Sequence, residues 1–374
     1  MGDHARECAA VSLADGRLLT FGGMWTQPDG EIVVTNQTYI FDAARRSWSK
    51  LSTTGIVPRA RAGHALVAPP GTSLVIAAHG LNCEVGYLAD VCVLDVQSST
   101  WTHAGLNGEL LSARDKLAAA AYHGRVYFHG GFGVLPEEEA EEEEAAEEAE
   151  ATGGEAKGAH AATRGPAVTM GWHDDLHEYE VERQRVRRLQ PLGARPTARA
   201  AHSLVALDVG AEGALFLFGG RTCAGRCNEL WKLDLGLTVW HAVDTTRAPA
   251  ARSFHAACAI SPDRFVVFGG LSARDTHLCD LHVFAAATET WEELPARGDG
   301  AAWPSPRASC AIGRCARELV VFGGSSGWLP EEGIARVFHN DVFMLPLDAA
   351  LPLDSAPTKL SHARPDKRAR TGGE

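Results

Sequence analysis

One short pattern recurs six times along the chain and restricts what it can fold into: a β-rich apolar run that ends in two small residues. The copies are Leu18-Leu19-Thr20-Phe21-Gly22-Gly23, Val75-Ile76-Ala77-Ala78-His79-Gly80, Val126-Tyr127-Phe128-His129-Gly130-Gly131, Leu215-Phe216-Leu217-Phe218-Gly219-Gly220, Phe265-Val266-Val267-Phe268-Gly269-Gly270 and Leu319-Val320-Val321-Phe322-Gly323-Gly324. Their last residues are 57, 51, 89, 50 and 54 positions apart, a period near fifty with one oversized unit. A repeat of this length is one supersecondary unit that cannot bury its own apolar faces and must stack on its neighbours. Six such units account for nearly all of the 374 residues.

Each unit carries two further landmarks. Ahead of the glycines stands an Arg-x-x-His start, as in Arg61-Ala62-Gly63-His64, Arg199-Ala200-Ala201-His202 and Arg252-Ser253-Phe254-His255, with degraded forms at Arg6, Arg114 and Arg307. Behind them come Trp48, Trp101, Trp240 and Trp291, each six residues after Asp42, Asp95, Asp234 and Ala285. Val186 and Pro352 take that place in units three and six, and the proline argues against a regular last strand there. The patterning gives four antiparallel strands per unit: a through the His, b into the glycines, c as an alternating run and d around the Trp.

The repeat resembles the kelch repeat over essentially residues 4–350. That resemblance implies an all-β chain, a six-bladed kelch β-propeller over 4–360 with blades at about 4–52, 58–105, 112–190, 197–244, 250–295 and 305–360. The glycines would let backbones crowd near the axis, the tryptophans would fill the joints between blades, and the recurrent histidines are core positions. Unit one is complete from Arg6 to Lys50, so unit six draws its fourth strand from Pro357-Thr358-Lys359-Leu360 or lacks one.

Net charge is −12, but residues 137–150 hold ten glutamates and no base, which leaves 37 acids against 35 bases, or −2, elsewhere. A nearly neutral body lacks the basic face that phosphate backbones require, so nucleic acid is not expected as a partner. No run of eighteen apolar residues exists and the first residues lack the apolar core of a signal peptide, so no membrane association is expected and the address is cytoplasmic, nuclear or both. The segment 136–166, Glu/Ala-rich and then Gly/Ala-rich, reads as a disordered acidic loop inside blade 3, and 361–374 as a disordered basic tail. Arg364, Lys367, Arg368 and Arg370 suit either a nuclear import signal or a solubilising tail. Nine cysteines without a CxxC pair point to reduced thiols, and neither a metal nor a cofactor is expected.

Strand a starts on the face where strand b ends, so the a-starts and the b–c loops share one rim. Departures from the repeat gather there in blades 3 to 5: Lys116, Phe132 and Trp172, then Arg221 and Arg226, then Ser253 and Phe254. Paired guanidiniums suit a carboxylate, Lys116 adds a point charge and Ser253 a hydroxyl, while Phe132, Trp172 and Phe254 supply apolar walls. A second reading pairs the arginines with acids of neighbouring loops.

The runs Arg114-Asp115-Lys116-Leu117, Gly171-Trp172-His173-Asp174, Gly219-Gly220-Arg221 with Arg226, and Arg252-Ser253-Phe254-His255 resemble the kelch-domain substrate receptors of cullin-RING ubiquitin ligases that recognise C-terminal diglycine. The resemblance implies that Lys116, Trp172, Arg221, Arg226 and Ser253 line a pocket for a peptide's terminal carboxylate. Phe132 stands where the family has Tyr, Phe254 where it has Trp, and Ser309-Cys310 where it has Trp-His. Residues 349–374 show no apolar periodicity of a docking helix, so the expected partner is a peptide or protein C-terminus, with cullin-RING components implied by resemblance alone. The alternative is a general kelch scaffold that binds an internal or folded surface; enzyme activity is not expected.

Overall fold

The computed structural model describes residues 7–27, 31–136, 169–294, 303–329, 334–347 and 358–360. The acidic segment from 137 on, the tail over 361–374, Arg6 and Pro352 lie outside the described residues. Every regular element described is a strand, and the strands form a six-bladed β-propeller. Blade 5 shows the plan: Ala256–Ser261, Arg264–Ser272, His277–Ala285 and Thr290–Leu294 pair antiparallel in chain order, as strands a to d. Strand b is buried along nearly its whole length because both of its faces pack on other blades, which is why it reads as an unbroken apolar run. Strand d alternates, with Trp291 inward and its neighbours out.

Buried apolar side chains form six clusters, and each is shared by two adjacent blades. Every landmark Trp reaches back to strand b of the preceding blade: Trp101 lies 4.9 Å from Phe21, Trp240 5.9 Å from His129 and Trp291 5.0 Å from Phe218, centroid to centroid. Trp48 does the same across the joint between first and last blades, 4.8 Å from Phe322. Blade 1 takes all four strands from Glu7–Ser12 to Ser47–Leu51. Blade 6 obtains its fourth from Thr358–Leu360, paired antiparallel with Val342–Pro346. Among the described residues no strand is exchanged between the two, and side-chain contacts close the ring.

The repeat arginines hold each blade's rim. Arg61, Arg114, Arg199, Arg252 and Arg307 are fully buried, and each donates to the carbonyl just before the last small residue of the b-run, for instance Arg252 Nη1 to Gly269 O at 3.0 Å. Each also meets an acid in or immediately before the following strand c: Asp90, Asp175, Glu229, Asp280 and Asp341. Burial pushes the Asp175 carboxyl up, and the Arg114 guanidinium more than offsets this, holding it at about 2. Two links between blades add parallel edge strands, Thr54–Gly55 along Thr100–His103 and Asn107–Gly108 along Arg185–Leu189. A Cβ on Gly108, whose φ is 113°, would lie 2.1 Å from the Val186 carbonyl oxygen, so the link demands glycine.

Candidate functional site

Strand a begins with a left-handed residue in blades 2 to 6, two positions after each repeat Arg: Gly63, Lys116, Ala201, Phe254 and Ser309, with φ between 50° and 63°. The bend turns their peptide groups round the axis and links them from blade to blade. The Lys116 amide donates to Gly63 O at 2.6 Å, Ala201 to Lys116 O at 2.8 Å, Phe254 to Ala201 O at 2.9 Å and Ser309 to Phe254 O at 2.9 Å. This backbone girdle bounds a cavity of about 500 Å³ at the channel mouth, lined among others by Lys116, Phe254, Asp115 and Glu7.

The cavity wall is apolar with few fixed charges. Burial pulls His64 and His255 down to about 3, so both stay neutral and add no positive charge. Asp115, 2% exposed, accepts from Lys116 Nζ at 2.5 Å through Oδ2. Its Oδ1 has no hydrogen-bond partner among the described residues, and burial raises its pKa despite Lys116. Glu7 crosses the closing joint to accept from the Ser325 hydroxyl; burial raises its pKa, and the hydrogen bonds from Ser325 and Ser309 only partly offset this.

The seven candidate residues fall into three groups. Arg221 and Arg226 face each other in a two-stranded hairpin, Arg221–Thr222 against Gly225–Arg226. Ser253 is fully buried at the next a-start, and Arg226 Nε donates to its Oγ at 2.8 Å. Arg221 is exposed and forms no ion pair with a described residue, its backbone being bridged to Ala200. Phe132 and Trp172 are paired across strands b and c of blade 3, with rings 5.0 Å apart and edge-on. Lys116 and Phe254 line the cavity, two steps apart on the girdle. Among the described residues, no hydrogen bond or ion pair joins Lys116 to either arginine.

Three acceptors and neighbours escaped the sequence reading. Arg226 Nη2 lies 2.6 Å from Asp275 Oδ1, across from blade 4 to the b–c turn of blade 5, an ion pair by distance whose geometry gives the buried Nη2 no hydrogen bond. Asp115 is the acid of Lys116, and Tyr87 of blade 2 stands 6.5 Å from Phe132. The pairing of Arg226 with a loop acid is the second reading weighed above; Arg221 does not follow it. Asp90, Cys92 and His103 place ligand-type atoms within 4.8 Å of one another. However, Asp90 is held bidentately by Arg61, and burial followed by the Asp90 charge pushes the Cys92 thiol up to about 12, so Asp90 serves the repeat arginine and Cys92 stays a thiol.

Comparison with known proteins agrees with this architecture. The chain is 26% identical over 335 residues to mouse Kelch domain-containing protein 1, covering 86% of this chain and 76% of that protein. It is 25% identical over 332 residues to Kelch domain-containing protein 2 of Bos taurus, with the same coverage. Against human Kelch domain-containing protein 3 the identity is 25% over 371 residues, covering 92% of this chain and 84% of the relative. The KLHDC2/KLHL20/DRC7 Kelch-repeats domain matches residues 2–135 and 153–350, the greater part of the chain, and the protein is therefore a member of that kelch-repeat family.

Proposed function

We propose that this kelch propeller, a protein-interaction module by its family, binds the free C-terminus of a peptide or protein at the rim of blades 3 to 5. The observation that carries the reading is Arg226: its side chain is 6% exposed, and Ser253 fixes the guanidinium from behind while Arg221 stands opposite on the open side. A fixed, desolvated guanidinium such as that of Arg226 rewards a carboxylate strongly, because its orientation costs little on binding. Phe254, next in the chain to Ser253, and the Phe132–Trp172 pair of blade 3 would supply the bulky apolar surface of the rim, which favours glycine or another small residue at the end of the ligand. Service as the substrate receptor of a ubiquitin ligase, in cytoplasm or nucleus, is the biological setting of this reading.

The second reading, a scaffold for a folded partner surface, is favoured by one observation: Lys116 and Arg226 already hold Asp115 and Asp275. Titration of a peptide ending in Gly-Gly, with a free carboxylate and as the C-terminal amide, separates the two. C-terminus capture requires at least tenfold preference for the acid. Equal affinity of acid and amide supports the scaffold.

A further inference from the structure

Arg226 and Asp275 form an asymmetric pair. The cation is 6% exposed and anchored by Ser253, whereas the side chain of the anion is 37% exposed and sits at a hairpin tip. The tip is built to present it. Ser272 and Thr276 close the turn through Ser272 N to Thr276 O at 2.9 Å, and the Asp275 amide donates back to Ser272 O at 3.0 Å. The Ser272 hydroxyl accepts from the amides of Arg274 and Thr276, both at 3.2 Å. Asp275 itself is left-handed, with φ 57°, a conformation that Asp and Asn adopt more readily than other side chains.

A buried guanidinium without an acceptor is costly, so Arg226 needs an anion whether or not a ligand is present. The exposed member of the pair can return to water at little cost, while the buried member cannot. At the hairpin itself Arg221 and Arg226 carry two positive charges and Asp275 removes one, which leaves one for an incoming carboxylate.

We propose that Asp275 is an internal competitor, a carboxylate of the protein's own that occupies Arg226 in the free state and is displaced by the terminal carboxylate of the ligand. This rests on the C-terminus reading above and adds an affinity threshold to it. A ligand that offers no carboxylate leaves the Asp275–Arg226 pair in place, so only an anionic peptide end meets the competition, and a weak one is turned away. Competition of this kind reduces apparent affinity by the fraction of molecules in which Arg226 is free.

The experiment compares full-length wild type, Asp275→Asn, Arg226→Ala and the double variant, each titrated with the Gly-Gly-ending peptide as acid and as amide. Asparagine keeps the shape and the left-handed backbone, and melting curves check that the variant remains folded. The expected result is acid binding roughly five- to tenfold tighter in Asp275→Asn, an unchanged amide, and no effect of the Asn substitution once Arg226 is Ala. An acid preference in wild type with no gain in Asp275→Asn overturns the competitor and spares the C-terminus reading. Equal binding of acid and amide in both proteins overturns both.

Discussion

The indole of Trp48 in blade 1 lies 4.8 Å from the ring of Phe322 in blade 6, tilted by 56°, and it sits in the cluster through which the first and last blades meet. The other joints join consecutive segments of chain; this one joins its two ends, and among the described residues it does so by side-chain contacts, with Glu7 accepting from Ser325 across the same joint. Trp48→Ala is therefore expected to lower stability by about 3–5 kcal/mol, the usual cost of emptying a buried Trp site. Urea unfolding followed by tryptophan fluorescence of the remaining indoles measures it. A loss below about 1 kcal/mol would mean that the ring is closed by something other than this cluster.

Acid should weaken the fold well above the carboxylate range. His64, His79, His129 and His255 are all buried and drawn from an ordinary 6.5 to about 3, first by desolvation. Each binds a proton more readily in the unfolded chain than in the folded one, so the stability it confers is complete above 6.5 and falls as pH drops toward 3. The slope approaches about 1.4 kcal/mol per pH unit for each such histidine. Urea midpoints measured at pH 7.5, 6.5, 5.5 and 5.0 should fall steadily below 6.5. A flat series, or a profile unaltered by His255→Phe, contradicts the assignment of these rings as neutral core groups.

Breaking one repeat ion pair should cost more than the pair itself contributes. Arg307 is fully buried and its Nη1 lies 2.6 Å from Asp341 Oδ1, so Asp341→Ala leaves an unmatched charge inside the rim. A loss of about 3–5 kcal/mol is expected. Arg307→Met with Asp341→Leu should recover much of it, and a double variant no better than the single one would show that the carbonyl contact to Gly323 dominates instead.

Gly108→Ala tests the edge strands. The added methyl group would meet the Val186 carbonyl at a left-handed backbone position, so two penalties act together and a loss of about 2 kcal/mol or more is expected. By contrast Gly124, also left-handed, has nothing within 4 Å of a Cβ, and Gly124→Ala should cost only the backbone term of roughly 1 kcal/mol. Equal losses by thermal melting would remove the steric argument.

What the sequence disclosed was whatever repeats. The glycine pairs, the landmark tryptophans and the strand order each appear several times in register, and tertiary packing preserves that register because every blade meets the same two kinds of neighbour. The acid that pairs with each repeat Arg was equally legible in principle: Asp90, Glu229 and Asp280 stand five residues before Asp95, Asp234 and Ala285, the positions used to place the tryptophans. The girdle of left-handed residues was hidden because only Gly63 among them is glycine. The rim resisted most. Asp275 reaches Arg226 from another blade through the b–c turn of blade 5, and no periodicity reports a contact made once. Residue types at Lys116, Arg221, Arg226 and Ser253 could be read as carboxylate-seeking; the acids that already meet two of them could not.

One coupling decides between C-terminus capture and a scaffold, that between Arg226 and the last carboxylate of a bound peptide. Four titrations define it: wild type and Arg226→Ala, each with the Gly-Gly-ending acid and with its amide. If the guanidinium holds the carboxylate, removing either should cost about 1.5–3 kcal/mol and removing both little more than one alone. A coupling energy near zero, with the variant binding acid and amide as wild type does, would leave the rim arginines as structural partners of Ser253 and Asp275 and the propeller as a scaffold for some other surface.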